Sequence, residues 1–334
     1  MGLNIRDIVP KRRVEVSELK GKIVAVDAFN ILYQFLGSIR QYDGTPLQDK
    51  QGKVTSHLSG LFYRNINLLS EGIKLIYVFD GTPPDLKGVT RDKRQEVKDI
   101  AFGKYKKAKE NDDYGAMRKY SQQMSKLTNE MIEESKELLE AMGIAVVQAP
   151  GEGEAQASEI AKREAYSVVS QDYDCLLFGA PRLIQNLTMA KTRKTATGVV
   201  EITPEIIELE KVLNHLQLNH DQLISLGILV GTDYNPSGIR GIGQKKALQF
   251  VQKYKIPSVI FKQFPDMDFD WKVIFELFKK PDVIKNPEIT FPKINKDKIK
   301  GILMKHDFSE ERIENQLHKL MELREKLKQK TLFG

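Results

Sequence analysis

Cysteine is almost absent: Cys175 is the only one in 334 residues, beside one tryptophan and five histidines. A lone cysteine excludes an intramolecular disulfide framework and fits a reducing compartment. No Cys/His spacing resembles a zinc site either. No apolar run approaches the roughly 18 residues that a membrane helix needs, and the opening MGLNIRDIVP has no apolar leader core. A soluble, unexported protein with no membrane association is therefore expected. Gly2 follows Met1, but Arg6 stands where a myristoylation signal requires Ser or Thr, so no lipid anchor is expected. Aromatic residues make up only 8% against 41% apolar residues in all, an ordinary globular composition for one large α/β domain or two smaller ones. Internal repeats and low-complexity blocks are missing.

What is present in excess is positive charge. The formal net charge is +7, which suits a polyanionic partner and equally suits simple solubility. Its distribution is more telling. Residues 87–126 hold 12 Lys and Arg against 6 Asp and Glu, a surplus nearly equal to that of the whole chain. A solvated helical hairpin and a phosphate-binding element are both consistent with that stretch.

Short β-rich runs end in acids: KIVAVDA (22–28), KLIYVFDG (74–81) and SVVSQDYD (167–174), with AVVQAP (145–150) as a further strand. Between them the helical patterns TSHLSGLFYRNINLLSE (55–71), NEMIEESKELLEAMG (129–143) and EAQASEIAKREA (154–165) supply crossovers. Continuous apolar strands with helical crossovers predict an α/β fold whose central, mostly parallel sheet is flanked by helices. Thr203 with Pro204 behind it reads as a helix N-terminus, and mainly helices are expected from there on. The last helix is expected to stay amphipathic to about Lys328.

The acids carry the chemistry. If the strand SVVSQDYD persists through Tyr173, Asp172 and Asp174 point to one face. They then repel each other, and either a proton or a divalent cation relieves the repulsion. Oxygen-only ligands favour Mg²⁺ or Mn²⁺. In open α/β sheets ligands gather at the carboxyl ends of the strands, where Asp27, Asp80 and the 172/174 pair all fall. Glu152 and Glu154 join them if Gly151 and Gly153 let the chain turn before the helix; ordinary helix-N-terminal acids are the alternative. Asp233, after an apolar helical segment, fits a turn as well as a ligand. Seven carboxylates exceed what one Mg²⁺ takes directly, so a two-metal phosphoryl-transfer site is expected, with a structural metal cluster as the rival reading.

The segment GIRGIGQKKALQF (238–250) sets Gly238, Gly241 and Gly243 before a helix bearing Lys245 and Lys246. A helical pattern precedes it where a dinucleotide site would have a strand, so a helix-turn-helix that grips phosphate backbone is expected, or a plain packing unit. Lys87 and Arg94, seven apart, share a face on a continuous helix and could grip a scissile phosphate. Tyr33, six residues past Asp27, could stack on a base or pack in the core. Cys175 reads as a buried apolar residue.

Taken together, IVAVDAFNILYQFL, TPLQDKQGKVTSHLSGLFYRNINLL, YVFDGTPP, QAPGEGEAQA, SQDYDCLLFGAPRLIQNL and ILVGTDYNPSGIRGIGQKKAL resemble the archaeal and eukaryotic flap endonucleases of the XPG structure-specific 5′ nuclease family. The resemblance implies a PIN-like 5′ nuclease fold with a helical arch and a helix-two-turn-helix at about 220–253. It divides the chain into an N-terminal nuclease region (1–100), an arch or cap segment (101–130), an internal nuclease region (131–250), a helical region (251–328) and a partial clamp-binding tail (329–334). It implies hydrolysis of branched DNA carrying a 5′ flap in lagging-strand maturation and base excision repair, with associated 5′–3′ exonuclease activity. Asp27, Asp80, Glu152 and Glu154 match a first Mg²⁺ cluster; Asp172, Asp174 and Asp233 match a second, with Mn²⁺ able to substitute and K⁺ at the hairpin. Lys87 and Arg94, together with the catalytic ligand Asp174, serve the scissile phosphate. Tyr33, Arg40, Lys87, Arg94, Gly241, Gly243, Lys245 and Lys246 form the implied DNA-contacting set. Gly2 matches a family residue near the active site. A monomer is expected, in the nucleoid-associated cytoplasm of an archaeon or the nucleus of a eukaryote. A sliding clamp (PCNA) is the implied protein partner through Gln329 and Leu332, although Gly334 arrives before the family's aromatic pair. Other enzymes on this scaffold, cutting ends, bubbles or junctions, and a non-catalytic DNA-binding module are the competing readings.

Overall fold

The computed structural model describes residues 3–41, 43–82, 100–105, 107–108, 110–111, 113–123, 126–189, 192–195 and 198–332. In the first half lie β1 (Arg12–Arg13), β2 (Ile23–Asp27), α1 (Ala28–Ser38), α2 (Ser56–Ser70) and β3 (Lys74–Phe79). Next come α3 (Tyr114–Gln123), α4 (Asn129–Ala141), β4 (Ala145–Gln148), α5 (Gly153–Ala161), β5 (Ser167–Val169), the one-turn α6 (Asp174–Leu177) and β6 (Arg182–Gln185). The hairpin β7 (Thr192–Thr195) and β8 (Gly198–Glu201) precedes β9 (Glu205–Glu208). Helices follow: α7 (Leu209–Leu216), α8 (His220–Val230), α9 (Gln244–Tyr254), α10 (Pro257–Phe261), α11 (Trp271–Lys279), α12 (Lys296–Lys305) and α13 (Glu310–Leu332).

The main sheet has seven strands in the order β1-β9-β6-β5-β2-β3-β4. The five strands from β6 to β4 in that order are mutually parallel, and β9 runs antiparallel to both β6 and β1. Both faces are covered, so the inner strands are largely apolar yet alternate between two cores. Val24 and Val26 of β2 enter one core with Leu75, Tyr77 and Phe79 of β3, under α1, α2 and α4. Ala25, Ile76 and Val78 enter the other, against α5 and α8. The chain leaves β2 for β3 on one side and later returns to β5 on the other, which makes the carboxyl ends of β2 and β5 the topological switch point of the sheet.

Three expectations are corrected. Thr203 and Pro204 do not start a helix: Glu205–Glu208 is β9, because Ile206 and Ile207 are each buried on opposite faces of the sheet, opposite Ile184 and Leu183 of β6. The helix begins only at Leu209. The strand after Ser167 stops at Val169 and does not reach Tyr173. The final helix runs on to Leu332 and does not end near Lys328, as its Lys, Gln, Leu and Glu content without Gly or Pro favours. The stretch over 220–254 folds as α8, a loop over 231–243, and α9.

Tyr77 is fully buried, and its hydroxyl donates to Asn65 Oδ1 at 2.9 Å between β3 and α2. Tyr77→Phe leaves that buried acceptor without its donor and should destabilise the fold by about 1–3 kcal/mol in urea denaturation. No change in the unfolding midpoint would show that the pair contributes nothing.

Candidate active site

Acids close four consecutive parallel-strand exits. Asp27 is the last residue of β2 and caps α1, accepting from the Asn30 amide at 3.1 Å. Asp80 follows β3, Glu152 and Glu154 follow β4, and Asp172 and Asp174 follow β5. The oxygens of Glu154, Asp172 and Asp174 lie within 4.8 Å of one another, near enough for one cation to touch all three. Asp174 opens α6 and donates its amide to Asp172 Oδ1 at 3.2 Å. The pair therefore converges through a turn and a helix start, and the extended-strand route to that convergence is wrong. Tyr173 between them is buried in the core, as is Cys175, whose thiol is pushed up first by burial and then by the neighbouring carboxylates.

The loops bearing Asp80 and Glu152 are laced together. Gly81 N donates to Gly151 O at 2.7 Å and Thr82 N to Pro150 O at 3.0 Å. The Gly153 amide, at the first turn of α5, donates to Asp80 Oδ1 at 2.8 Å, where the helix N-terminus favours an anion. A Cβ at Gly153 would stand 2.5 Å from that same oxygen, and one at Gly81 would stand 2.2 Å from Ala149 O. Neither Gly151 nor Gly153 has a positive φ. Close approach, and not backbone freedom, thus explains the glycine at 153. Gln148 adds a side-chain bond to the Asp80 carbonyl at 2.6 Å.

Residues beyond the acids hold them in place. Ser170, fully buried, donates to Asp27 Oδ2 at 3.0 Å and accepts the Asp172 amide at 3.2 Å, so one hydroxyl joins the exits of β2 and β5. Asn30 Oδ1 accepts the Gln171 amide at 3.0 Å. On the far side the loop after α8 brings Asp233, which is buried, and the adjacent Tyr234 hydroxyl donates to Glu152. Sequence reasoning missed Ser170, Asn30 and Tyr234. Each lies within three residues of a predicted acid, but adjacency alone did not disclose a hydrogen bond.

Of the remaining candidates, Tyr33 is 41% exposed on α1 and not in the core. Gly241, Gly243, Lys245 and Lys246 are exposed at the α8–α9 turn, with Gly241 at φ +80°. Arg40 is half-buried at the far end of α1. Gly2, Lys87 and Arg94 lie outside the described residues, and only the backbone is described at Gln329 and Leu332.

With this geometry in hand, the XPG N-terminal domain matches residues 4–101 and the XPG I-region matches residues 143–233, which between them contain all seven acids. Fold, acid-lined strand ends and both matches define an XPG-class protein. A flap endonuclease 1 of Hyperthermus butylicus is 48% identical over 329 residues, covering 96% of this chain and 94% of that protein. The solved flap endonuclease-1 of Methanococcus jannaschii is 42% identical, with a TM-score of 0.76 over 96% of this chain and 98% of that one. The catalytic core of Rad2, solved with a DNA substrate, shares the fold at 23% identity, with a TM-score of 0.69 over 96% of this chain and 100% of that one. The chain belongs to the flap endonuclease 1 family, and its acid cluster supports the use of divalent metal.

Burial first, and the charge of Asp80 next, raise the Asp27 carboxyl to about 7, against the opposing bonds from Asn30 and Ser170. A folded pKa above the unfolded one means the folded state holds the proton longer, so this group costs stability as pH rises from about 4 through about 7. Metal-free protein should accordingly melt lower at pH 8 than at pH 5, and Asp27→Asn, which can still cap α1, should recover more than about 1 kcal/mol at pH 8. Calorimetry of both proteins in chelator, with and without added Mg²⁺, checks this. An unchanged melting temperature in the Asn variant would contradict it.

Proposed function

We propose that this chain is a structure-specific 5′ flap endonuclease that hydrolyses a phosphodiester of branched DNA, with associated 5′–3′ exonuclease activity. On this reading it acts in lagging-strand maturation and base excision repair, where chromosomal DNA is: the nucleoid or the nucleus. The observation that carries it is the convergence of Glu154, Asp172 and Asp174 at the switch point of the sheet, in a chain 48% identical to a flap endonuclease 1. The donor set fits hard divalent cations: it is all carboxylate, half-buried or buried, and braced by Ser170, the Gly153 amide and Tyr234.

We assign Asp27, Asp80, Glu152 and Glu154 to one Mg²⁺ and Asp172, Asp174 and Asp233 to a second, with Mn²⁺ able to replace either. Glu154 stands close enough to Asp172 and Asp174 to serve both groups. Two such ions supply charge to the attacking and leaving oxygens of an in-line displacement at phosphorus. The chain's own part is to hold seven like charges in register while water and DNA approach from the open ends of the strands. Tyr33, exposed on the helix that Asp27 caps, offers a ring for an unpaired base. Lys87 and Arg94 steady the scissile phosphate, within a 101–130 cap and its approach. Gly241, Gly243, Lys245 and Lys246 grip duplex backbone at the α8–α9 turn, a position that also suits K⁺, since three glycines of positive φ at 231, 238 and 241 fold its backbone tightly. The sliding clamp is read at Gln329 and Leu332 in a monomeric enzyme.

A labelled duplex with a 5′ flap, incubated with Mg²⁺, should be cut near the flap junction. Asp174→Ala or excess EDTA should lower the rate by about 10²-fold or more, and full activity in either case would remove the metal-dependent account. Tyr33→Ala should slow single-turnover cleavage by about 10-fold, within the ~1–3 kcal/mol of base stacking, and leave duplex affinity intact. An unchanged rate would remove Tyr33 from the DNA-contacting set.

A further inference from the structure

We propose that Arg40 is a positioning residue for cleavage, the strut that fixes α3 to the same helix that carries Asp27 and Tyr33; this rests on the flap-endonuclease reading above. Its guanidinium is engaged by oxygens of the protein itself. Nε donates to Gly37 O at 3.2 Å, and Nη1 donates to Gly44 O and to Ser121 Oγ, both at 2.8 Å. Ser121, on α3 and 8% exposed, donates in turn to Gly44 O at 2.5 Å. One carbonyl, at Gly44, thus receives both the guanidinium and the hydroxyl, and three separate pieces of chain are closed on one side chain: the last turn of α1, the loop after it, and α3, 81 residues away.

The loop is shaped to present that carbonyl. Arg40 and Pro46 form an antiparallel bridge, Gln41 N donates to Thr45 O at 2.8 Å, and Asp43 Oδ1 accepts both the amide and the hydroxyl of Thr45. Gly44 itself sits at φ +86°, a left-handed position that a side chain resists. At the other end of α1, 11 residues and about 16 Å away, Asp27 caps the helix and enters the carboxylate cluster through Ser170. A rigid helix therefore joins the acids to the latch. The latch thus ties α3 to the helix that Asp27 caps and on which Tyr33 is exposed. Because misplacement of about 1 Å can cost two orders of magnitude in rate, releasing the latch should slow the chemistry without weakening the grip on duplex.

The role is separable from a phosphate contact. A lysine keeps the charge but offers one compact ammonium, which cannot span Gly37 O, Gly44 O and Ser121 Oγ together. Arg40→Lys, Arg40→Ala, Ser121→Ala and the Arg40→Ala/Ser121→Ala double variant are to be compared with the parent. Three quantities are measured: single-turnover cleavage of a 5′-flap duplex with Mg²⁺, the salt dependence of duplex binding with Ca²⁺, and amide hydrogen exchange of residues 114–123 without DNA. The strut predicts that Lys and Ala both lose about 10-fold or more in rate, that the double variant is no slower than Arg40→Ala, that the salt slope is unchanged, and that 114–123 exchange faster in both Arg40 variants. A Lys variant with parental rate, or a salt slope lowered by about one in the Ala variant, would identify a phosphate contact and overturn the proposal. Unchanged exchange at 114–123 in the Ala variant overturns it independently, and that arm holds even if the parent protein fails to cut a flap, the result that would sink the functional reading instead.

Discussion

Carboxylates of like charge crowded at one end of a buried sheet repel one another, and the surrounding structure is arranged around holding them there. Burial first, and the charge of Asp80 next, raise the Asp27 carboxyl. The opposing donors come from backbone and hydroxyls already present at the strand exits: the Asn30 and Gly153 amides, Ser170 and Tyr234. Each such bond orients an oxygen as well as stabilising its charge. Those donors are within reach because four parallel strands end at one level, with α1 starting directly after β2 and α5 and α6 shortly after β4 and β5. The parallel order of the sheet is in this sense a requirement of the chemistry, not merely its scaffold.

The same requirement explains which parts of the site could be read from sequence. Asp27 and Asp80 were legible because IVAVD and YVFD are continuous apolar runs that a double-sided sheet demands, and the acid falls where the run stops. Asp172 and Asp174 were legible as a pair but for the wrong geometric reason. Period-2 alternation projects a strand through SVVSQDYD, whereas Ser170 uses its hydroxyl to close a turn, and the amide of Asp174 then folds back on Asp172. Glycine in PGEGEA suggested an easy turn before the helix; the space occupied by Asp80, contributed from 73 residues away, is what requires it at 153. β1, with two exposed residues, and β8, exposed throughout, carry no buried pattern and left no trace. β9 was hidden by a persuasive Thr-Pro helix start, which lost to the burial of Ile206 and Ile207 between two cores.

Helix α1 connects the acid cluster to α3. Ile31, Leu32, Phe35 and Leu36 bury one side of it, and Tyr33 is exposed on another. Its first residue follows an acid of the cluster, and the loop at its last turn holds α3. Gly60 of α2 lets the Phe35 ring come so close that a Cβ there would lie 2.3 Å from it. That packing leaves α1 little room to tilt. A helix so seated transmits position, and small changes at either end are felt at the other.

The lacing of the Asp80 and Glu152 loops has a consequence for how such a protein can vary. Gly81 and Thr82 bond to Gly151 and Pro150 residue by residue, so the two loops share a shape over these positions. A single inserted residue in either would break the pairing and carry an acid away from its partners, even if every acid were kept. The register between these two loops is therefore as much a part of the site as the identity of its acids.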